Sequence, residues 1–212
     1  MKYFSVFFIF FIANKTFSQQ LFSSFSIGVN EGVVMAHTDV KGNNINTSTS
    51  FDFYYYYTPN INLGMDYQFG KLKGGPDKYT KYFKNNFQCY TLKARIYSAQ
   101  FANVFTNRNR FNYYFGTGIG QLKSTITDIN LDPKLEGQKY SGTNWIVPID
   151  IGTDISFRKR ILLNINYQWN VSFTDLSDGY NPNDANNKSN DYFSYLSLGL
   201  KFRLGKIKAY FK

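Results

Sequence analysis

The sequence is short of the residues that most often carry chemistry. Its 212 residues include one cysteine, Cys89, and one histidine, His37. A lone cysteine closes no internal disulfide. With no histidine or second cysteine near it in the chain it makes no metal site, so a buried or interfacial thiol is expected. Long apolar runs are also missing. Beyond the N-terminus none reaches the roughly 18 residues of a membrane helix, and the mean hydropathy of −0.37 is too polar for a helical bundle. Helical membrane proteins are thereby excluded. Acidic residues are in deficit, 14 against 24 Lys and Arg, and the resulting charge of +10 favours anionic partners: lipid, acidic sugar or nucleic acid.

What is abundant is aromatic: 22 Phe and 18 Tyr, four of the tyrosines consecutive at Tyr54 to Tyr57. Four successive residues of a strand cannot share a face, because side chains alternate. Two of these rings therefore point each way, and both environments must accept them.

The N-terminus reads as a secretory signal peptide over residues 1–18. Met1-Lys2 gives a positive start, Tyr3 to Ala13 an apolar stretch, and Thr16 and Ser18 the small residues before a cut at Gln19. An uncleaved anchor of this length is shorter than a bilayer requires. The only cysteine lies far downstream, so this is no lipoprotein signal.

After Gln19 the dominant period is two, the mark of strands with unlike faces. From Ile161 to Phe173 the odd positions are Ile161, Leu163, Ile165, Tyr167, Trp169, Val171 and Phe173, and the even ones include Asn164, Asn166, Gln168 and Asn170. Near the C-terminus Leu196, Leu198, Leu200, Phe202 and Leu204 alternate with Ser197, Gly199, Lys201 and Arg203. The same test gives about eight segments: 22–36, 50–57, 61–70, 87–102, 110–123, 144–157, 161–173 and 191–204. Tight connections are expected at Thr58-Pro59-Asn60, Asn107-Arg108-Asn109 and Arg158-Lys159-Arg160, and long polar ones near 38–49, 71–86, 124–143 and 174–190. An even count with short turns at one end and long loops at the other, behind a signal peptide, predicts an all-β, eight-stranded antiparallel up-and-down transmembrane β-barrel over residues 19–205. A short basic periplasmic tail would follow at 206–212.

In such a barrel Tyr55 and Tyr57 continue the outward face of Phe51 and Phe53 and form part of an aromatic girdle at the periplasmic interface. Tyr54 and Tyr56 point inward, and Pro59 falls where the ladder ends. The inward faces also carry Asp52, Asp66, Lys93, Arg95, Asp150, Asp154, Lys201 and Arg203. Eight strands leave room only for side chains. Four carboxylates facing four cations would pair, as buried charges must, and plug the lumen against solutes. One position conflicts with the pattern. Continuing Phe25, Ile27 and Val29 puts Glu31 in lipid, so a bulge is expected around Asn30-Glu31-Gly32, returning Val33 and Met35 to the outward face.

The sequence resembles the transmembrane domain of outer-membrane protein A and the small porin-like β-barrel proteins of Bacteroidetes. The resemblance rests on the stretches Gly64 to Gly74, Tyr114 to Gly120, Asp175 to Tyr180 and Ser194 to Gly205, and it covers essentially the mature chain. It implies residence in the outer membrane of a Gram-negative bacterium. It also implies an assembly signal in the last strand, Ser197, Gly199, Phe202 and Leu204, read by the barrel-insertion machinery. Longer relatives continue into a peptidoglycan-binding domain, which is not expected here because the sequence stops at Lys212.

Small outer-membrane barrels include lipid A deacylases and palmitoyl transferases, so catalysis has to be tested. His37 would be the base, with Ser48, Ser50, Thr38 and Asp39 nearby in sequence, but no spacing sets a hydroxyl, imidazole and carboxylate in series. The segment Thr174 to Tyr180 lacks the ligand spacing of a calcium loop. Gly116, Gly118 and Gly120 precede no helix and so form no phosphate loop. Neither cofactor nor metal is expected. The basic residues point to partners. Lys71, Lys73, Lys78, Lys81 and Lys84 are expected at the outer surface, where they contact lipopolysaccharide phosphates or serve as ordinary solvated loop lysines. Arg108, Arg110, Arg158, Lys159, Arg160, Lys206 and Lys208 face phospholipid or peptidoglycan at the inner rim. Nucleic acid is a poor candidate for a secreted chain. The leading expectation is a non-enzymatic envelope barrel serving integrity or adhesion. The alternatives are a lipid A-modifying enzyme using His37 and an accessory barrel of a secretion or transport system.

Overall fold

The computed structural model describes residues 20–38, 45–58, 60–75, 82–97, 111–130, 141–158, 160–173, 191–205 and 208–210. The signal segment 1–18, the Asn107-Arg108-Asn109 turn and the Thr174 to Tyr180 segment lie outside them. Among the described residues are ten strands: β1 (Gln20–Phe22), β2 (Phe25–His37), β3 (Ile45–Tyr56), β4 (Ile61–Gly74), β5 (Tyr82–Tyr97), β6 (Phe111–Asn130), β7 (Ser141–Ser156), β8 (Ile161–Ser172), β9 (Tyr192–Leu204) and β10 (Lys208–Tyr210). Strands β2 to β9 close into an antiparallel barrel in chain order, β9 pairing back onto β2. Closure removes every exposed ladder edge, the condition for strands to span a bilayer.

The walls follow the alternation. Ile27, Val29, Phe51, Phe53, Leu63, Met65, Leu92, Ile96, Leu198 and Leu200 are exposed on the outside, while Asp52, Lys93, Arg95, Asp150, Asn164 and Lys201 are buried within. A protein dissolved in water has the reverse polarity, and an apolar exterior on this scale demands a lipid solvent. The β3–β4 and β7–β8 connections are tight. Thr58 Oγ1 accepts from the amides of Asn60 and Ile61, and Arg158 and Ile161 exchange backbone hydrogen bonds. After β9, Gly205 has φ of 85° and turns the chain. The described part of the tail, β10, pairs antiparallel with β1.

Several strands run past the boundaries read from the sequence. β3 begins at Ile45 rather than residue 50, β4 reaches Gly74 rather than 70, β5 begins at Tyr82 rather than 87, and β6 ends at Asn130 rather than 123. At its other end the described part of β5 reaches Tyr97, and the remainder of the expected segment lies outside the described residues. In β4, β5 and β6 the extensions reverse the polarity, Leu72, Phe83 and Ile126 turning inward and Lys71, Lys84 and Thr127 outward, whereas Asn46 to Thr49 of β3 are polar on both faces. In β5, Phe83, Asn85 and Phe87 are buried and Lys84, Asn86 and Gln88 are exposed, whereas lower on the same strand Lys93 and Arg95 are buried and Leu92 and Ile96 exposed. A search for apolar-out alternation ends where the strand leaves lipid and becomes a water-facing barrel with an apolar core.

The expected bulge at Asn30-Glu31-Gly32 is absent. The ladders of β2 with β3 and with β9 run without interruption, so Glu31 faces outward with Val33 and Met35. Its carboxylate accepts a hydrogen bond from Thr49 Oγ1 at 2.5 Å. One transverse row explains how the strand accepts this charge. It runs through Leu198, Glu31, Thr49, Phe69, Gln88 and Lys123. The row is apolar on β9 and reaches lysine on β6 before passing to Thr143 on β7, as a row climbing across tilted strands can. Glu31 sits where it changes character. The only register shift in the β5–β6 ladder falls between Lys84 and Asn85.

Candidate functional site

The interior is built in two strata. The lower one holds the charges. Lys93 Nζ donates to an Asp66 carboxylate oxygen and, at 2.6 Å, to Gln168 Oε1. Arg95 donates from Nε to Asp150 Oδ2 at 2.8 Å, and its Nη2 bonds the same oxygen. Lys201 Nζ reaches Asp154 Oδ1 at 3.2 Å, where Tyr97 and Asn164 also donate at 2.7 Å to the two carboxylate oxygens. The Arg95 guanidinium lies between two rings, 4.3 Å from Tyr54 and 4.4 Å from Tyr114. Lys201 stands 5.5 and 5.4 Å from the same two rings. Cation–π contact of this kind gains strength when water is excluded.

Four carboxylates matched one to one with four cations would be too simple a description. Asp66, Asp150 and Asp154 each lie within 4 Å of a cation. Among the described residues Asp52 has no cation within 4 Å, and it accepts from Asn30 Nδ2 at 2.8 Å. Arg203 is buried to 9% exposure near the lower rim, opposite Ser26 across the β2–β9 ladder. Tyr55 and Tyr57 point outward beside the β3–β4 connection, at 42% and 70% exposure. In the last barrel strand Ser197 and Gly199 face inward while Phe202 and Leu204 face outward.

The upper stratum is a hydrophobic core that sequence reading did not single out. Val34, Ala36, Leu72, Phe83, Phe87, Cys89, Leu122, Ile126, Ile146 and Phe193 pack across the bore, with Phe87 and Phe193 rings 5.3 Å apart. Tyr195 caps the polar stratum beneath, its hydroxyl donating to the carbonyls of Asn30 and Ser48 at 3.3 and 3.2 Å. A signal was present in the inverted alternation of Phe83, Phe87 and Cys89 with Lys84, Asn86 and Gln88. Cys89 is 1% exposed and part of this core.

His37 is the last residue of β2. Its ring stacks on Tyr192 at 4.7 Å and 12°, and its Nε2 lies 3.3 Å from Ser194 Oγ. Ser48 and Ser50, its neighbours in sequence, are buried in the bore. The hydroxyl it meets is 157 positions away, a pairing created by the β2–β9 closure that no local spacing announces. Asp39 lies outside the described residues. Among the described residues no group of three or more His, Cys, Asp or Glu is arranged to hold a metal ion.

Of the lysines assigned to the outer surface, Lys71 and Lys73 face outward at the top of β4, while Lys78 and Lys81 lie outside the described residues. Lys84 is neutralised by Asp128 at 2.9 Å. On β6 an unanticipated lysine, Lys123, joins this face.

No protein-family model matches the chain, and no curated protein matches it. Solved structures do. Neisserial surface protein A is 14% identical, with 87% of this chain and 99% of that one aligned and a TM-score of 0.59. Ail, the attachment invasion locus protein of Yersinia pestis, is 12% identical over 86% of this chain and 99% of its own, with a TM-score of 0.53. The structure of Ail in complex with the heparin analogue sucrose octasulfate is similar at 11% identity, with 86% and 99% covered and a TM-score of 0.52. At these identities the likeness is one of fold: an eight-stranded barrel of the outer-membrane kind.

Proposed function

We propose that the protein is a non-enzymatic integral barrel of a Gram-negative outer membrane, closed to solutes, that supports envelope integrity or adhesion through its outward connections. The observation that carries this reading is the pair of opposed polarities along one strand, β5. The apolar wall below fits lipid, and the apolar core above, with Phe83, Phe87 and Phe193 across the bore, leaves no wide aqueous path. The ion pairs beneath fill the rest of an interior only wide enough for side chains. The reading includes a leader cleaved after Ser18, insertion directed by Ser197, Gly199, Phe202 and Leu204, and membership of the small porin-like barrels. It also includes contact of the upper lysines with lipopolysaccharide. Heat-shifted electrophoretic migration in outer-membrane fractions, together with the absence of sustained large conductance from purified monomer in planar bilayers, tests it. A large steady current would overturn the closed bore.

A second reading, lipid A modification, is favoured by one contact, that of His37 Nε2 with Ser194 Oγ. A nucleophile must reach its substrate, and Ser194 is 0% exposed. The contact is better explained as a hydrogen bond that locks β2 to β9 at the top of the wall. His37→Ala with mass spectrometry of lipid A separates the two, since a mutation-dependent change in acylation would establish the enzyme.

A further inference from the structure

A recess of about 500 Å3 opens across β3, β4, β5 and β6, a size within the roughly 300–1,000 Å3 of small-ligand sites. Two rows of outward side chains line most of it. Lys71, Asn86 and Thr125 form the upper row, and Phe69, Gln88 and Lys123 the lower. Alternation places all six on the outer wall, and Thr47, Thr49, Gly70 and the inward-turned Ser48 and Phe87 complete the lining. Strand spacing puts the two lysine Cα atoms about 12 Å apart.

Three observations identify the kind of ligand. First, the cations are available: among the described residues neither Lys71 nor Lys123 has a carboxylate partner, whereas Lys84 nearby is held by Asp128. Second, the remaining polar lining consists of amides and hydroxyls, groups that bond sugar hydroxyls rather than add charge. Third, the position is fixed by the wall beneath. The row below contains Tyr67 and Tyr90, stacked at 4.7 Å, and the next contains Met65 and Leu92, 55% and 61% exposed. Aromatic residues over an apolar band mark the membrane interface, so the recess stands at headgroup height directly above acyl chains.

We infer that this recess binds the phosphorylated sugar headgroup of lipopolysaccharide. Lys71 and Lys123 take its phosphates, and Asn86, Gln88 and Thr125 bond its hydroxyls. Its acyl chains descend past Phe69, Tyr67 and Tyr90. The inference rests on the outer-membrane reading above and deepens it, replacing a diffuse contact by loop lysines with a defined place on the wall. A soluble polyanion would gain nothing from the apolar surface below, which is why a membrane glycolipid is the occupant the geometry favours.

The test is titration of the folded full-length chain in detergent micelles with bisphosphorylated lipid A, read by native mass spectrometry. Lys71→Ala/Lys123→Ala should weaken binding roughly 30-fold, from about fivefold per lysine near a membrane surface. Arg158→Ala, at the opposite rim, should leave it unchanged, and monophosphorylated lipid A should bind the native chain more weakly. Equal binding by the double variant would overturn the proposal. So would equal affinity of the native chain for phosphatidylglycerol, or full competition by sucrose octasulfate. Unchanged heat-shifted migration shows that the variants fold. Absence of the native protein from outer-membrane fractions would defeat the location reading instead, whatever the micelle titration gives.

Discussion

Gly64 stands directly opposite Tyr54 across the β3–β4 ladder, and the Tyr54 ring lies over it: a Cβ on Gly64 would fall 2.6 Å from Tyr54 Cε1. The space a side chain would fill is occupied by the ring that packs on Arg95. The glycine and the tyrosine together hold a cation in place within a narrow bore.

Gly64→Ala should therefore destabilise the barrel by about 1–3 kcal/mol, the usual cost of overpacking. Urea unfolding in lipid vesicles measures it. The companion change Tyr54→Phe, which keeps the ring and the cation–π contact, should cost less; an equal or larger loss would show that the ring is not what matters.

The carboxylates of the lower stratum should respond unequally. Asp150 is 0% exposed and binds Arg95 through two donors, so Asp150→Ala strands a buried cation at a cost of about 3–5 kcal/mol. Asp52 makes only a hydrogen bond with Asn30 among its described contacts, and Asp52→Asn should cost less than half as much. Equal losses in the same unfolding assay would contradict this arrangement.

Nitroxide labels along β5 should report the reversal of polarity in one strand. In a Cys89→Ala background, labels at Lys84 and Gln88 should be reached by a water-soluble nickel relaxant, and labels at Leu92 and Ile96 by oxygen from the hydrocarbon. Oxygen-dominated relaxation at all four sites would mean that the upper barrel is immersed in lipid.

Cys89 lies in the upper core at 1% exposure. Its thiol should resist a maleimide in the folded protein and react fully after unfolding. Rapid labelling of the folded chain would show that the bore is open above the charged stratum.

Much of this was legible in the residues alone. Period two, held within each of the eight segments, announced the strands and the side of the wall on which Ile165, Asn166, Lys201 and Phe202 fall. Side-chain alternation needs no knowledge of the neighbouring strand. Tight turns at Thr58 and Arg158 were likewise local. The tertiary structure decided what alternation cannot encode, namely which residues meet across the ladders and at what height. Closure brought His37 to Ser194, left Asp52 with Asn30 instead of a cation, and aligned Lys123 with the row of Phe69 and Gln88. It also kept Glu31 outward without a bulge, because the tilt of the rows carries that position toward the polar rim. Period reveals a residue's face; register and tilt belong to the closed cylinder, and only the whole set of strands fixes them.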